Sequence, residues 1–303
     1  MNAMRRTIEK QLFRQNAQGR QAPRRSSAVV AAGALLLAVL TACGEDETAP
    51  KGGTIAPSGT ETTAATSGES TGGDSGESST PIQASQDVDP ENTGRITGQM
   101  SFVGPVPPRA VLPVIGDAFC MGVAKDGPGL LSETLVVSDG KLAGAFVWIA
   151  AGLDDWRFPR ASGSVAMDQA GCTYVPHVIG LQKGQSLEMI NSDPVLHNVH
   201  SVGQKNGEKN LAMPTQGMKI EMKFKRPETM IELQCDVHAW MTAYVGVVDH
   251  PCFDVSATDG SFQLEGVPPG DYVVRMWHES LGTTEVEVSV SANETADLGE
   301  VSF

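Results

Sequence analysis

Aromatic side chains are scarce in this sequence of 303 residues, since Phe, Trp and Tyr make up only 5% of it. Proteins that bind single-stranded nucleic acid stack its bases on such rings, so the scarcity argues against that class of function. The charge balance argues against it as well, because 36 acidic residues outnumber 22 basic ones. A chain with a formal net charge of −14 is repelled by phosphates. We therefore expect no nucleic acid partner.

The chain also lacks long stretches with apolar residues at helical spacing. Short apolar or alternating runs recur instead, separated by Gly, Pro, Asp and Asn. This pattern is typical of β-sandwiches and predicts an all-β fold from about residue 94 onward. The predicted strands up to residue 250 are 96–102, 134–137, 144–149, 164–167, 174–181, 186–191, 219–224, 230–233 and 243–248. No His-Glu-x-x-His sequence occurs, so we expect no zinc peptidase.

No apolar run is long enough for a stable membrane-spanning helix. Residues 28–40 form the longest one, and seven basic residues precede it, which is the form of a signal peptide. The run ends in Leu40-Thr41-Ala42-Cys43-Gly44, which resembles the bacterial lipoprotein box. The resemblance implies a signal peptide over residues 1–42, lipidation of Cys43 and a place in the cell envelope, facing the periplasm or the exterior. The alternative is an ordinary signal peptide with a chance cysteine.

Residues 43–93 are rich in Gly, Ser, Thr, Glu and Asp and have scarcely any large apolar side chain. Such a segment cannot bury enough surface to offset its conformational entropy, so we predict a disordered acidic linker. Removal of the basic leader leaves the remaining chain more acidic still. An acidic surface steers basic redox partners, such as some c-type cytochromes, or serves solubility alone.

The most informative segment is Cys235-Asp236-Val237-His238-Ala239-Trp240-Met241, which places a thiolate, an imidazole and a thioether at Cys-x-x-His-x-x-Met spacing. A second imidazole is available upstream in His197-Asn198-Val199-His200. One Cys, two His and a weak axial Met are the ligand set of blue-copper electron-transfer sites. Neither zinc nor calcium requires the methionine. The alternative is a core cysteine beside a surface histidine.

These segments closely resemble the cupredoxin family, and in particular its amicyanin-like members. The resemblance covers about residues 96–250 and implies a copper domain over 94–250 with a Greek-key β-sandwich. It also implies one type 1 copper ion, held by His197, Cys235, His238 and the axial ligand Met241. In the family, the Asn beside the first histidine joins the two ligand loops, a role that would fall here to Asn198. Ala239 departs from the usual Pro, which bears on the redox potential.

Three nearby side chains have roles to assign. His200 lies three residues from His197, and because strand side chains alternate between faces, we expect it to be an outer polar residue or a partner contact. Trp240 is a candidate partner contact, with packing against the C-terminal unit as the alternative. We expect His238 to present the edge nearest solvent, through which electrons enter or leave.

A second unit begins near residue 251. Asp259-Gly260 indicates a hairpin between strands at 253–255 and 261–264, and further strands are predicted at 273–277 and 285–290. The Asp-Gly-x-Phe-x-Leu and Val-Pro-Pro-Gly-x-Tyr sequences resemble the carboxypeptidase-regulatory-like, transthyretin-like β-sandwich. Residues 251–303 are few for an independent core, so we expect this unit to borrow the strand at 96–102 or to pack edge-on against the copper domain.

The five cysteines leave a disulfide to place. With Cys43 assigned to lipid and Cys235 to copper, three remain, and an oxidising compartment favours a bridge between Cys120 and Cys172. A Cys235–Cys252 bridge is the alternative and would abolish the copper site.

Together these features predict a lipid-anchored, single-copper electron-transfer protein of the cell envelope that is not an enzyme. Its partner would be a redox protein such as a c-type cytochrome or a dehydrogenase. The alternatives are a copper carrier, an envelope module without redox role that binds protein or, through the C-terminal sandwich, carbohydrate, and a purely structural surface lipoprotein.

Overall fold

A computed structural model describes residues 86–125 and 127–303 of the chain. Strands dominate this part, which confirms the predicted all-β fold. In chain order the strands are β1 Gln86–Asp87, β2 Gly94–Ser101, β3 Val136–Ser138, β4 Lys141–Ala143, β5 Phe146–Ala151, β6 Trp156–Arg157, β7 Ser164–Gln169, β8 Tyr174–Val175, β9 Val178–Gln182, β10 Ser186–Asn191, β11 His197–Val202, β12 Glu208–Met213, β13 Lys219–Lys223, β14 Glu228–Gln234, β15 Thr242–Val248, β16 Phe253–Val255, β17 Ser261–Val267, β18 Gly270–His278, β19 Gly282–Val290 and β20 Thr295–Ser302. No helix in the described part is long and apolar enough to cross a membrane.

The first sandwich consists of two sheets with strand orders β12-β11-β14-β15-β9 and β13-β10-β7-β8. Alternation along β10 and β14 turns every second side chain inward, as in Leu187 and Met189 of β10. Their shared core is rich in Met, Leu and Val, and Cys235 and Met241 lie at its edge. This arrangement is consistent with a cupredoxin-like β-sandwich.

The second sandwich is larger than residues 251–303. Its sheets have the orders β16-β5-β18-β19 and β17-β2-β4-β3, and β20 pairs with β2. Strands β2 to β5 precede the first sandwich in the chain, and their residues share one core with those of β17 and β18. The predicted boundary at residue 250 therefore does not separate the two sandwiches. The second sandwich includes β2, the strand near residue 96, as one of the two expectations stated.

An apolar cluster joins the two sandwiches. Phe146 and Trp148 of β5 and Phe253 of β16 pack there against the outer faces of β9 and β15. Gly180 of β9 and Gly246 of β15 make this approach possible, because a Cβ at Gly180 would collide with the Phe253 ring and one at Gly246 with the Phe146 ring. The two sandwiches therefore share a packed interface.

Two ordered segments were absent from the sequence prediction. Helix α1, Ala118–Lys125, lies in the connection between β2 and β3, and Asp117 Oδ1 accepts a hydrogen bond from the Cys120 amide in its first turn (2.9 Å). Residues 86–93, predicted as the end of the disordered linker, contain β1 and a short 3₁₀ turn at Pro90–Asn92. The predicted signal peptide, the predicted lipidation site Cys43 and the predicted linker up to residue 85 lie outside the described residues.

His177, which precedes β9, links the sandwiches through hydrogen bonds from Nδ1 to the Thr242 carbonyl (3.0 Å) and from Nε2 to Glu279 (2.7 Å). Burial lowers its pKa, but the bond to Glu279 outweighs burial and holds the pKa above the ordinary 6.5. The pair therefore stabilises the fold fully below pH 6.5, and the contribution is lost as the pH rises through the raised pKa.

We expect His177→Gln to lower the free energy of unfolding at pH 6 by about 2 kcal/mol, since it removes a hydrogen bond to a charged group. The difference from the unsubstituted protein should shrink at higher pH. Denaturant unfolding of both metal-free proteins at a series of pH values measures it. A difference that is the same at every pH would contradict this role.

Candidate metal centre

Two segments of the first sandwich carry the predicted ligands. His197 is the first residue of β11, and residues 235–241 form the loop between β14 and β15. The loop is closed by hydrogen bonds from the Cys235 amide to the Met241 carbonyl (3.2 Å) and from the Met241 amide to the His238 carbonyl (2.8 Å). Because β14 pairs with β11 as well as with β15, the loop is held beside His197.

Three donor atoms converge between these segments. Cys235 Sγ lies 3.9 Å from His197 Nδ1 and 3.8 Å from His238 Nδ1, and the two Nδ1 atoms are 2.8 Å apart. The circle through the three atoms has a radius of about 2.1 Å, close to metal–nitrogen and metal–sulfur bond lengths of about 2.0–2.3 Å. A single ion therefore fits between them without movement of the backbone.

The site is deeply buried. His197 is 0% exposed, Cys235 2% and His238 1%, while Met241 is 1% exposed and belongs to the same core cluster as Cys235. Among the described residues, every group of three His, Cys, Asp or Glu side chains close enough to hold one ion includes His197 or His238. The predicted donors therefore belong to the one region of the described residues where such groups occur, and no separate group of this kind lies elsewhere in it.

Asn198 joins the two segments. Its Oδ1 accepts a hydrogen bond from the Asp236 amide (2.7 Å) and lies 3.3 Å from Cys235 Sγ. Its Nδ2 donates to Asp236 Oδ2 (3.0 Å) and to Asn210 Oδ1 (2.8 Å). Through these bonds β11 fixes the positions of the Cys235 sulfur and of Asp236, the residue that follows it.

The electrostatics of the pocket favour a thiolate. Burial alone would raise the pKa of Cys235, but hydrogen bonds involving His197 and nearby backbone amides outweigh it and lower the pKa below the ordinary value. The pKa of His197 is raised to about 9, because its contacts with Asp193 and Cys235 outweigh burial. Burial and the charge of His197 lower the pKa of His238. Both shifts act in the same direction, toward a thiolate at Cys235 and a neutral imidazole at His238.

The Cys120–Cys172 disulfide predicted from the sequence is formed, with the two Cα atoms 5.7 Å apart. It joins α1 to the turn between β7 and β8. The alternative Cys235–Cys252 bridge is absent, because Cys252 is a free thiol in the core of the second sandwich. Burial raises the pKa of Cys252 to about 12.

The expectation that His238 presents an edge to solvent is wrong. Cys120 Sγ lies 3.9 Å from His238 Nε2, so the disulfide covers the side of the ring that faces away from Cys235. Trp240 adds to this cover: its ring centroid is 5.0 Å from that of His238, and Nε1 donates to the Cys172 carbonyl (3.0 Å). Trp240 thus packs on the disulfide turn.

The other histidine of the β11 motif faces away from the centre. His200 bonds to Asp236 through Nδ1 (2.9 Å) and to Glu208 through Nε2 (2.7 Å), as expected for an outer polar residue. One residue of the site was missed: the buried carboxylate of Asp193 accepts a hydrogen bond from His197 Nε2 (3.1 Å). Its only sequence signal was a carboxylate four residues before a candidate ligand.

No protein-family model and no curated protein matches this chain. Solved structures that match 29% of it include a Cu-containing nitrite reductase from Thermus scotoductus SA-01, 18% identical over 23% of that chain, with a TM-score of 0.25. Two amicyanin structures, the Cu(I) form of a methionine-to-alanine variant and the oxidized state of a proline-to-alanine variant, are each 26% identical over 85% of their own chain, with TM-scores of 0.26. TM-scores of this size carry no conclusion about fold or function.

The cover over His238 leads to a prediction about the metal-free protein. In the double variant Cys120→Ser/Cys172→Ser, α1 is no longer tied to the β7–β8 turn, and local opening at His238 becomes easier. We expect carbethoxylation of His238 by diethylpyrocarbonate to become roughly tenfold faster, since a disulfide typically contributes more than the 1.4 kcal/mol that this requires.

Peptide mass spectrometry measures the rate of modification at His238. Cys252→Ser is the matched control, because it removes a buried sulfur of the other sandwich and should leave the rate at His238 unchanged. An equal rate in the double variant and the unsubstituted protein would show that the disulfide does not control access to His238.

Proposed function

We propose that this chain holds one copper ion between His197, Cys235 and His238 and acts as an electron-transfer protein of the cell envelope. The observation that carries the proposal is the convergence of Cys235 Sγ and the two Nδ1 atoms around a point about 2.1 Å from each. Two imidazoles and a thiolate in this arrangement are the donor set of a blue-copper site.

The identity of the metal follows from the donors. A soft thiolate favours copper or zinc over magnesium and calcium, which take oxygen ligands. Structural zinc sites are closed by a fourth strong ligand. Here the remaining nearby side chain in the loop is the thioether of Met241, buried at the edge of the same core. A weak thioether beside two imidazoles and a thiolate favours copper.

Copper in such a site supplies one-electron chemistry, alternating between Cu(II) and Cu(I). The chain's own part is to keep the donors fixed while the charge changes. His197 is set by its place on β11, and Cys235 is set by Asn198 and by the closed hairpin loop. Met241 and the apolar core beside it keep the site dry. A fixed, dry site requires little rearrangement when an electron is gained or lost.

We propose an electron carrier and not an enzyme, because the donor atoms are buried and covered. His238, the ligand expected to face outward, is overlaid by the disulfide and Trp240. Such a cover leaves no open approach for a substrate. Electrons would instead pass through this cover. The candidate route is Trp240, which is half-buried and packs on the His238 ring.

The remaining elements of the proposal rest on the sequence. The lipoprotein box at Cys43 supports a lipid anchor, and the acidic composition supports a basic redox partner such as a c-type cytochrome. A dehydrogenase is the other partner class. A copper carrier is the second candidate function, and a protein- or carbohydrate-binding module without redox role is the third; a carrier would release copper to chelators instead of cycling reversibly.

We expect the purified protein, after addition of Cu(II), to show an intense absorption band near 600 nm from the Cys235 thiolate. Cys235→Ala should abolish the band, because it removes the sulfur donor. Cys252→Ala should retain it, because Cys252 lies in the other core. Reversible voltammetry of the same sample separates an electron carrier from a copper carrier. A protein without the band that loses its copper to a weak chelator would overturn the proposed function.

A further inference from the structure

The carboxylate of Asp193 occupies a buried position directly behind His197. It lies between β10 and β11, and the residue is only 4% exposed. Oδ2 accepts hydrogen bonds from His197 Nε2 (3.1 Å) and from the Cys172 amide (2.8 Å), and Oδ1 accepts one from the Gly171 amide (2.7 Å). No residue of the ligand loop takes part in this group of contacts.

The β7–β8 turn is shaped to receive this carboxylate. Gly171 has φ of 64° and Cys172 has φ of 59°, so two successive residues adopt the left-handed conformation. Successive backbone amides in such a turn point toward one side and form an anion-binding concavity. Cys172 is not glycine, so its conformation costs energy. The bonds to Asp193 and the disulfide offset this cost.

Burial of a carboxylate is unfavourable unless hydrogen bonds and a positive partner compensate it. Here the His197 imidazole and the two backbone amides all donate to the carboxylate, so three hydrogen bonds compensate the burial of its negative charge. The carboxylate is separated from the three converging donor atoms by the width of one imidazole ring.

The contact between Asp193 and His197 Nε2 determines which ring nitrogen of His197 is free to bind a metal. An imidazole that donates from Nε2 to a carboxylate keeps its proton there, which leaves the lone pair of Nδ1 for a metal. Nδ1 is the atom of His197 that faces Cys235 Sγ and His238 Nδ1. The ring orientation and the position of its proton thus agree with the donor set.

We infer that Asp193 is a positioning residue of the metal centre, which fixes the tautomer of His197 and, through its buried negative charge, favours Cu(II) over Cu(I). The inference rests on the proposed copper site and adds a determinant of its potential. A negative charge in a dry, low-dielectric site interacts more strongly with the more highly charged ion. The same carboxylate couples the site to the disulfide turn, so the cover and the ligand share one anchor.

Asp193→Asn tests this inference, because it keeps the size of the side chain and removes the charge and one acceptor. Loss of a carboxylate that orients a metal-binding histidine typically weakens metal binding about 10- to 100-fold. We expect Cu(II) affinity to fall by at least about tenfold relative to Cu(I) affinity, which raises the reduction potential by about 59 mV per tenfold change. Asp193→Glu, which retains the charge, should recover most of the shift in potential.

Asp168→Asn is the matched control. Asp168 lies on the neighbouring strand β7, and its Oδ2 accepts a hydrogen bond from Ser192, but it does not touch His197. This variant should leave the potential and both copper affinities unchanged. Voltammetry and competition with chelators for each oxidation state provide the values.

The outcomes separate the two claims. A missing thiolate–copper band in the unsubstituted protein overturns the proposed function. A normal band, with an Asp193→Asn potential and affinity equal to those of the Asp168→Asn control, overturns the role of Asp193 alone. If Asp193→Asn does not fold, nitrogen-15 spectra of the unsubstituted, diamagnetic Cu(I) form decide: a protected proton on His197 Nε2 supports the role, and its absence overturns it.

Discussion

The side chain of Asn198 is the contact on which the geometry of the candidate metal centre depends. The predicted ligands come from a strand and from a hairpin loop 38 residues further along. Because loops are more mobile than strands, β-sheet pairing alone would leave the relative position of these ligands loosely defined. Asn198 Oδ1 removes that freedom, because it binds the Asp236 amide and contacts Cys235 Sγ. Since Asn198 is adjacent to His197, one residue of β11 supplies a donor and the next fixes the opposite donor. The short distances among the three donor atoms follow from this constraint.

Burial makes the polar groups of the site depend on hydrogen-bond partners within the protein. His197, Cys235 and His238 have almost no contact with water, and such groups are stable only when each has a partner. His197 has one on each ring nitrogen, Asp193 on one side and the converging donors on the other. His238 has the donors on one side and only the weakly interacting Cys120 sulfur on the other. The two imidazoles therefore differ: the pKa of His197 is raised and that of His238 is lowered. This difference favours a Cys235 thiolate beside a neutral His238 ring.

The sequence predicted the donors and missed what surrounds them, for a physical reason. Three of the four predicted ligands lie within seven residues of one loop, so their closeness in space could be predicted from the sequence. The cover over His238 depends on a disulfide between residues 52 apart in the chain, and spacing predicts the bridge but not its place above the ring. Asp193 resembles any turn carboxylate until its neighbours are known. The eight residues of α1 are too few to show helical periodicity. The sharing of β2 by the second sandwich depends on pairing with β17, a contact between distant parts of the chain that leaves no local pattern.

The second sandwich contributes to the surroundings of the candidate metal centre, and its position in the chain explains how. The connection between β2 and β3, both strands of that sandwich, contains α1 and Cys120. The disulfide fastens this connection to the β7–β8 turn of the first sandwich, where Asp193 holds the same turn by its amides. The cover of His238 thus combines Cys120, from a connection of the second sandwich, with Cys172 and Trp240 of the first, while the cluster around Phe146 and Phe253 packs the two sandwiches together. The second sandwich consequently contributes to the cover over the candidate donors of its neighbour.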